Sequence, residues 1–268
     1  MINVTVWYEA LEERGEMRPE FAPPGISEEH LARFHEFLSK SSAGVKATYP
    51  DGLLNTLSGH LSKNEDMNVT YTTMYDPEFG LPDELLDKTD VLIWWGHMAH
   101  HVVPDELAFK VVERVQRGMG FIALHSAHLS KPFRYLLGTS GNLKWREVDF
   151  TRVYKMNRTH PIVQGIPDTF ELEQEEVYCE PFDIPKPDDL LFTNWYRGGE
   201  LFRSGATWTR GNGKIFYFQP GHETFPSYHN PIIIRIIENA VRWVAPVQWI
   251  EKLESPMIEK SPEELLKG

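Results

Sequence analysis

Cysteine is almost missing from this sequence. Cys179 stands alone among 268 residues, so no internal disulfide can form, and a reducing compartment such as the cytoplasm is the expected setting. Positive charge is scarce as well: 27 Lys and Arg against 39 Asp and Glu leave a net charge of −12. Phosphate backbones are bound by clustered cations, so nucleic acid is not an expected partner. No apolar run approaches the roughly 20 residues that cross a bilayer, so no membrane partner is expected either. Met1–Glu9 lacks the basic segment and small-residue cleavage site of an export signal and reads as a first strand. A phosphate-cradling Gly-x-x-x-x-Gly-Lys loop is absent, and no Gly-x-Gly-x-x-Gly follows the first strand, which argues against a nucleotide cofactor. Repeats, low-complexity tracts and linkers are missing too. One domain over residues 1–246 is therefore expected, followed by a charged tail over 247–268.

Hydrophobic residues make up 41% of the chain and aromatics 12%, enough to bury a core and to exclude disorder. Ile2–Tyr8 and Met67–Thr73 carry the β-branched residues of strands, while Val91–Trp95 and Gly120–Leu124 are continuously apolar, as in strands buried on both faces. Between them lie helical segments: Ser27 as an N-cap through about Ser39, Leu53–Leu61, Pro82–Lys88, and Pro104 to Gly118 with Leu107, Val111, Val112 and Val115 on one face. Glu9–Pro24 reads as a loop. This alternation predicts an α/β fold with a doubly wound parallel sheet. Past Gly138 the pattern changes to short strands at Val148–Met156, Phe170–Leu172, Glu176–Glu180 and Leu190–Trp195. A hairpin follows, Thr207–Arg210 and Lys214–Phe218 about Gly211-Asn212-Gly213, and then a helix capped by Asn230 through about Val244. An antiparallel extension of the sheet is the expectation.

Ligands of open parallel sheets bind outside the carboxyl ends of the strands. Six of the 11 histidines follow three such ends: His97, His100 and His101; His125 and His128; and His222. His97, His125 and His222 end a strand or follow its turn most closely and are the candidates for function. Neutral imidazoles suit a divalent metal such as zinc, and three with an open position would make a catalytic site. The same rings can serve as acid and base. No His-Glu-x-x-His pair decides between these roles. Leu124-His125-Ser126-Ala127 falls at a strand-to-helix elbow without the Gly-x-Ser-x-Gly pattern, which leaves Ser126 poorly supported as a nucleophile. On a strand, Glu176, Tyr178 and Glu180 would share a face that is either a wall of the site or a solvated edge. Trp94, Trp95, Trp145, Trp195 and Trp208 fit core packing or stacking on sugar rings.

Taken together, Val91-Leu92-Ile93-Trp94-Trp95-Gly96-His97, Gly118 to Lys131, Leu143-Lys144-Trp145-Arg146-Glu147 and Phe216-Tyr217-Phe218-Gln219-Pro220-Gly221-His222-Glu223 resemble the ThuA family of trehalose utilisation proteins. The resemblance runs from Val4 to about Pro246 and implies a flavodoxin-like sheet similar to class I glutamine amidotransferases. In those enzymes the elbow carries a nucleophilic cysteine. Here the elbow residue is His125 and Cys179 lies far along the chain, so glutaminase activity is not expected. The family's link to disaccharide breakdown implies a sugar ligand and, as a hypothesis, an isomerase acting on a keto-disaccharide by His/Glu or metal-assisted proton transfer. On that reading His125, His222 and Glu176 are catalytic. His97, Ser126, Lys131, Trp145, Arg146 and Tyr178 contact the sugar, and a metal would sit on His97, His125 and His222. The competing expectation is a non-catalytic sugar-binding or regulatory protein. A homo-oligomer is expected from aromatics near Trp243 and Trp249.

Overall fold

The computed structural model describes residues 1–22, 25–254 and 259–267. Among these, nine strands form one sheet: β1 (Ile2–Tyr8), β2 (Met67–Thr73), β3 (Val91–Trp95), β4 (Gly120–Leu124), β5 (Lys144–Lys155), β6 (Thr169–Cys179), β7 (Asp189–Tyr196), β8 (Leu201–Arg210) and β9 (Gly213–Phe218). Their spatial order is β2-β1-β3-β4-β9-β8-β7-β5-β6. The first five in that order run parallel, and the remainder pair antiparallel. The expected α/β class, with a parallel core and an antiparallel extension, is what the chain adopts.

Among the described residues seven α-helices cover the sheet or its ends, α1 (Leu11–Arg14), α2 (Glu28–Thr48), α3 (Leu53–Leu61), α4 (Asp83–Leu86), α5 (Asp105–Arg117), α6 (Lys131–Leu137) and α7 (Pro231–Val244), and an eighth, α8 (Pro262–Leu265), lies in the tail. β3 and β4 are buried at every residue, which explains their unbroken apolar sequence. α5 buries Leu107, Val111 and Val115, and Gly118 ends it. The Asn230 side chain accepts from the Ile232 amide and opens α7, whose isoleucines pack on β4 and β9. No helix of the described residues is long and apolar enough to cross a membrane.

Three departures from the sequence expectation have physical causes. α2 continues nine residues past Ser39, to Thr48, through Ser41, Ser42 and Gly44, which are weak helix formers. The small side chains of Ser41 and Ser42 let α1 approach, with the Ser42 hydroxyl donating to the Glu13 carbonyl and Ser41 to Glu12, so tertiary contact overrides propensity. That same contact forms α1 inside a segment expected to be a loop. Finally, the two short strands expected at Phe170–Leu172 and Glu176–Glu180 are one strand, β6, whose burial changes phase at Glu175. Register shifts between Arg146 and Thr151 of the paired β5 accompany that change and bend the β5–β6 ribbon, which brings Tyr178 to Ser126 beyond β4.

The aromatics near the end of the chain are tied to this protomer. Trp243 packs on the His160 ring at 4.7 Å, and Arg117 lies 4.9 Å over Trp249. The start of the tail is fixed to α5 by the Ile250 amide, which donates to the Arg117 carbonyl.

Candidate functional site

β1, β3, β4 and β9 end side by side, and each delivers an ionisable residue to the same place. Glu9 follows β1. Its buried carboxylate accepts the backbone N–H groups of His97 (3.0 Å), Met98 (2.9 Å) and Ala99 (2.9 Å), fixing the turn after β3. Nδ1 of His97 lies 2.6 Å from Glu12 and 2.9 Å from Glu223. Carboxylates only accept, so this nitrogen carries the proton and the ring offers Nε2 elsewhere. Burial works against charge on His97, but Glu223 and Glu12 outweigh it and raise its pKa well above the usual value, so Nε2 also carries a proton, which a bound cation would have to displace. Burial, then the nearby Glu12, pushes the Glu223 carboxyl up in turn.

His125 is the first residue past β4 and has a backbone φ of +53°, a conformation that costs a non-glycine residue about 1–3 kcal/mol. Its Nδ1 donates to the Gln219 carbonyl at 3.1 Å, which leaves a lone pair on Nε2. That atom lies 3.1 Å from Glu176 Oε2. Both atoms are fully buried, and neither makes a hydrogen bond. With His125 neutral, two acceptors face each other at van der Waals distance, so the contact needs a cation or a proton shared between them, and a proton makes it an ion pair. Burial opposes ionisation of Glu176, yet His125, His222 and His97 hold its pKa down at about 2.

His222 follows β9 after Gln219-Pro220-Gly221. Gly221 has φ +141°, and a Cβ there would strike the buried Tyr228 hydroxyl, so the turn admits only glycine. Glu175, also buried, accepts from the Gly221 amide (3.0 Å), the His222 amide (3.3 Å) and the Ser227 hydroxyl (2.7 Å). Nδ1 of His222 takes the Thr224 amide at 3.2 Å and sits 2.9 Å from the Thr224 hydroxyl. Burial, then the neighbouring His125 and His97, lowers its pKa to about 3.

The ring centroids of His97, His125 and His222 lie 5.1–5.6 Å apart. One donor atom from each, with one from Glu176, falls within a 4.8 Å span. That convergence is what a bound cation requires, and carbonyl or carboxylate partners on the far nitrogens of His97 and His125 are the usual means of orienting metal-binding imidazoles. A cavity of about 730 Å³ opens from this point, lined at its inner end by Ser126, Glu176 and Tyr178. The Ser126 and Tyr178 hydroxyls are 2.6 Å apart.

Of the residues singled out from sequence, His97, His125, His222 and Glu176 converge, and Ser126, Tyr178 and Trp145 line the cavity. Lys131 and Arg146 do not. Lys131 pairs with Asp105 at 2.8 Å, and Arg146 is held by Glu200 and Asp149. Strand alternation explains Arg146, because Trp145 and Glu147 on either side of it face the cavity. Glu180 lies just past β6, away from Glu176 and Tyr178, and pairs with Arg203. Trp94, Trp95 and Trp208 are core residues. Sequence reasoning missed Glu9, Glu12 and Glu223. Glu9 carried the same signal as the histidines, a polar residue directly after a buried strand, and Glu223 adjoins His222.

His128, on the cavity wall, donates from Nδ1 to the Gly141 carbonyl at 2.7 Å, and burial lowers its pKa to about 3. The unfolded chain binds this proton near pH 6.5, so His128 contributes stability above that pH that is lost as pH falls towards 3. His128→Gln removes the titration and keeps a donor. Urea midpoints should show the variant weaker than wild type at pH 7.5, with the gap closing by up to about 1.4 kcal/mol per pH unit below 6.5. A gap independent of pH would exclude this role.

Comparison with known proteins places the fold. The structure matches a ThuA-like protein from Parabacteroides merdae with a TM-score of 0.57 and 14% identity, covering 94% of this chain and 92% of that one. A cytoplasmic protein from Salmonella typhimurium matches with a TM-score of 0.53 and 14% identity over 72% of this chain and 87% of that one. A glutamine amidotransferase from Thermotoga maritima gives 0.52 and 10%, over 91% and 97%. At such identities the likeness is one of fold. No curated protein matches the sequence. The family model for ThuA, trehalose utilisation, aligns with residues 34–244, and the chain therefore belongs to the ThuA family.

Proposed function

We propose that the protein is a sugar-modifying enzyme, an isomerase that moves a carbonyl between neighbouring carbons of a keto-sugar, working in the cytoplasm. The observation that carries this reading is the buried pair of acceptors, His125 Nε2 and Glu176 Oε2, 3.1 Å apart inside a four-residue donor set. His97, His125 and Glu176 would hold a divalent cation, a two-histidine, one-carboxylate set that leaves positions open. When bound, the cation would polarise the sugar carbonyl and stabilise the enediolate.

The chain's own residues supply the rest. The Ser126 and Tyr178 hydroxyls, each able to donate to the other, leave one donor and one acceptor for sugar hydroxyls. Burial, then Glu176, keeps Tyr178 protonated, because both raise its pKa. His222 is the proton carrier. With Nδ1 accepting from the Thr224 amide, its proton sits on Nε2; the form with Nε2 bare requires Nδ1 to give up that amide bond and donate to the Thr224 hydroxyl instead. In the bare form it takes the C–H proton beside the carbonyl and then returns one to the former carbonyl carbon. The hydroxyl proton passes to the former carbonyl oxygen, so R–CO–CH(OH)–R′ becomes R–CH(OH)–CO–R′ without an oxidant.

A 3-keto-disaccharide incubated in heavy water with zinc- or manganese-loaded protein should lose its proton beside the carbonyl, followed by proton NMR. His222→Gln should slow that loss at least ~100-fold, within the range for a general acid–base group. Tight sugar binding without exchange above the blank, under either metal, would instead support a non-catalytic sugar-binding protein.

A further inference from the structure

The cavity is chemically divided. Its inner end is polar and closed: Ser126, Glu176 and Tyr178 are each less than a tenth exposed. Its outer end is apolar and open. Trp145 is 63% exposed and Phe37 46%, and Phe34, Met98 and Leu143 are partly buried beside them. The Phe34 and Phe37 rings lie nearly parallel, with centroids 6.3 Å apart. These side chains come from α2, the turn after β3 and the start of β5, so three separate elements converge to build one apolar mouth.

The polar groups at this mouth are few, and two of them are already engaged. Lys40 is paired with Glu36 at 2.7 Å, and the Ser41 hydroxyl donates to Glu12. Asn142 and Glu147 remain. A second hexose would bring several hydroxyls into contact with phenylalanine, methionine and leucine, and each hydroxyl stripped of water without a partner weakens binding. A flat apolar group loses nothing there and gains from burial and from stacking on Trp145.

We infer that the substrate is a glycoside with an apolar, aromatic aglycone, its sugar ring at the histidine end and its aglycone between Trp145 and the Phe34–Phe37 pair, rather than a disaccharide. This rests on the sugar-binding reading above. It is tested without turnover by titrating the protein calorimetrically with phenyl glucoside, methyl glucoside and trehalose, using both anomers of the two glucosides. Phenyl glucoside should bind at least tenfold more tightly than methyl glucoside or trehalose. Trp145→Ala and Phe37→Ala should each remove most of that preference, and Phe37→Ala should leave methyl glucoside unchanged. Equal affinities, or trehalose binding most tightly, would overturn the aglycone assignment and leave the sugar reading standing. Binding of phenol with none of the glycosides bound would sink the sugar reading itself. If sedimentation shows a dimer that Trp145→Ala dissociates, the mouth is a subunit interface and the assignment falls.

Discussion

Glu176→Gln is expected to abolish tight divalent-metal binding while making the metal-free protein more stable. Opposite signs from one substitution follow from the contact with His125. Where neither a cation nor a proton bridges the native pair, as at alkaline pH without metal, two acceptors meet at 3.1 Å without a hydrogen bond, and this is the condition under which the gain in stability is read. A glutamine amide at the same place donates to the His125 lone pair, and a new buried hydrogen bond is worth about 0.5–1.5 kcal/mol. The same change removes the only carboxylate of the donor set. Losing a group that merely orients a ligand costs about 10–100-fold in metal affinity, and losing the anionic ligand itself should exceed that. Thermal unfolding with and without zinc or manganese, combined with calorimetric titration, reads both effects. A variant less stable than wild type when metal-free, yet equally stabilised by metal, would show that no cation is shared between His125 and Glu176.

Glu9→Ala is expected to give the largest loss of stability among single changes around the site, about 3–6 kcal/mol. Three backbone N–H groups of the turn after β3 end on this one carboxylate. Burial raises its pKa and those N–H groups lower it, with burial prevailing. Alanine leaves the buried Ala99 donor and the partly buried His97 and Met98 donors without a partner, at up to about 1–3 kcal/mol each and less where water reaches them. The turn positions His97, so metal affinity should fall along with stability. Glu9→Gln keeps one acceptor oxygen and should recover part of the loss. Denaturant unfolding of the two variants is the measurement, and a loss below about 1 kcal/mol for Glu9→Ala would mean that water replaces the carboxylate without difficulty.

Much of the fold was legible because periodicity and punctuation agree with tertiary structure across the parallel half. Val91–Trp95 and Gly120–Leu124 emerge as strands with the bounds expected from sequence. The antiparallel half was harder, since β6 changes face at Glu175, and a period-of-two reading breaks at such a point. The histidines were legible by position, as strand ends are where parallel sheets place their ligands. The carboxylates that hold them were not. Glu12 lies in a charged stretch that resembles solvated loop, and nothing local announces that α2 will bury it. Arg146 and Lys131 show the converse: a cation in a suggestive motif is easily claimed by a nearby acid.

The left-handed backbone at His125 gives that position two competing demands. Glycine adopts φ near +53° without strain, and asparagine tolerates it better than most residues. Selection for thermal stability alone would therefore drift towards His125→Gly, wherever relief of strain outweighs the lost contact with Gln219. Selection for turnover would hold the imidazole in place. A library sorted first by heat resistance and then by proton exchange should separate the two pressures at this residue, with the hardiest clones among the least active.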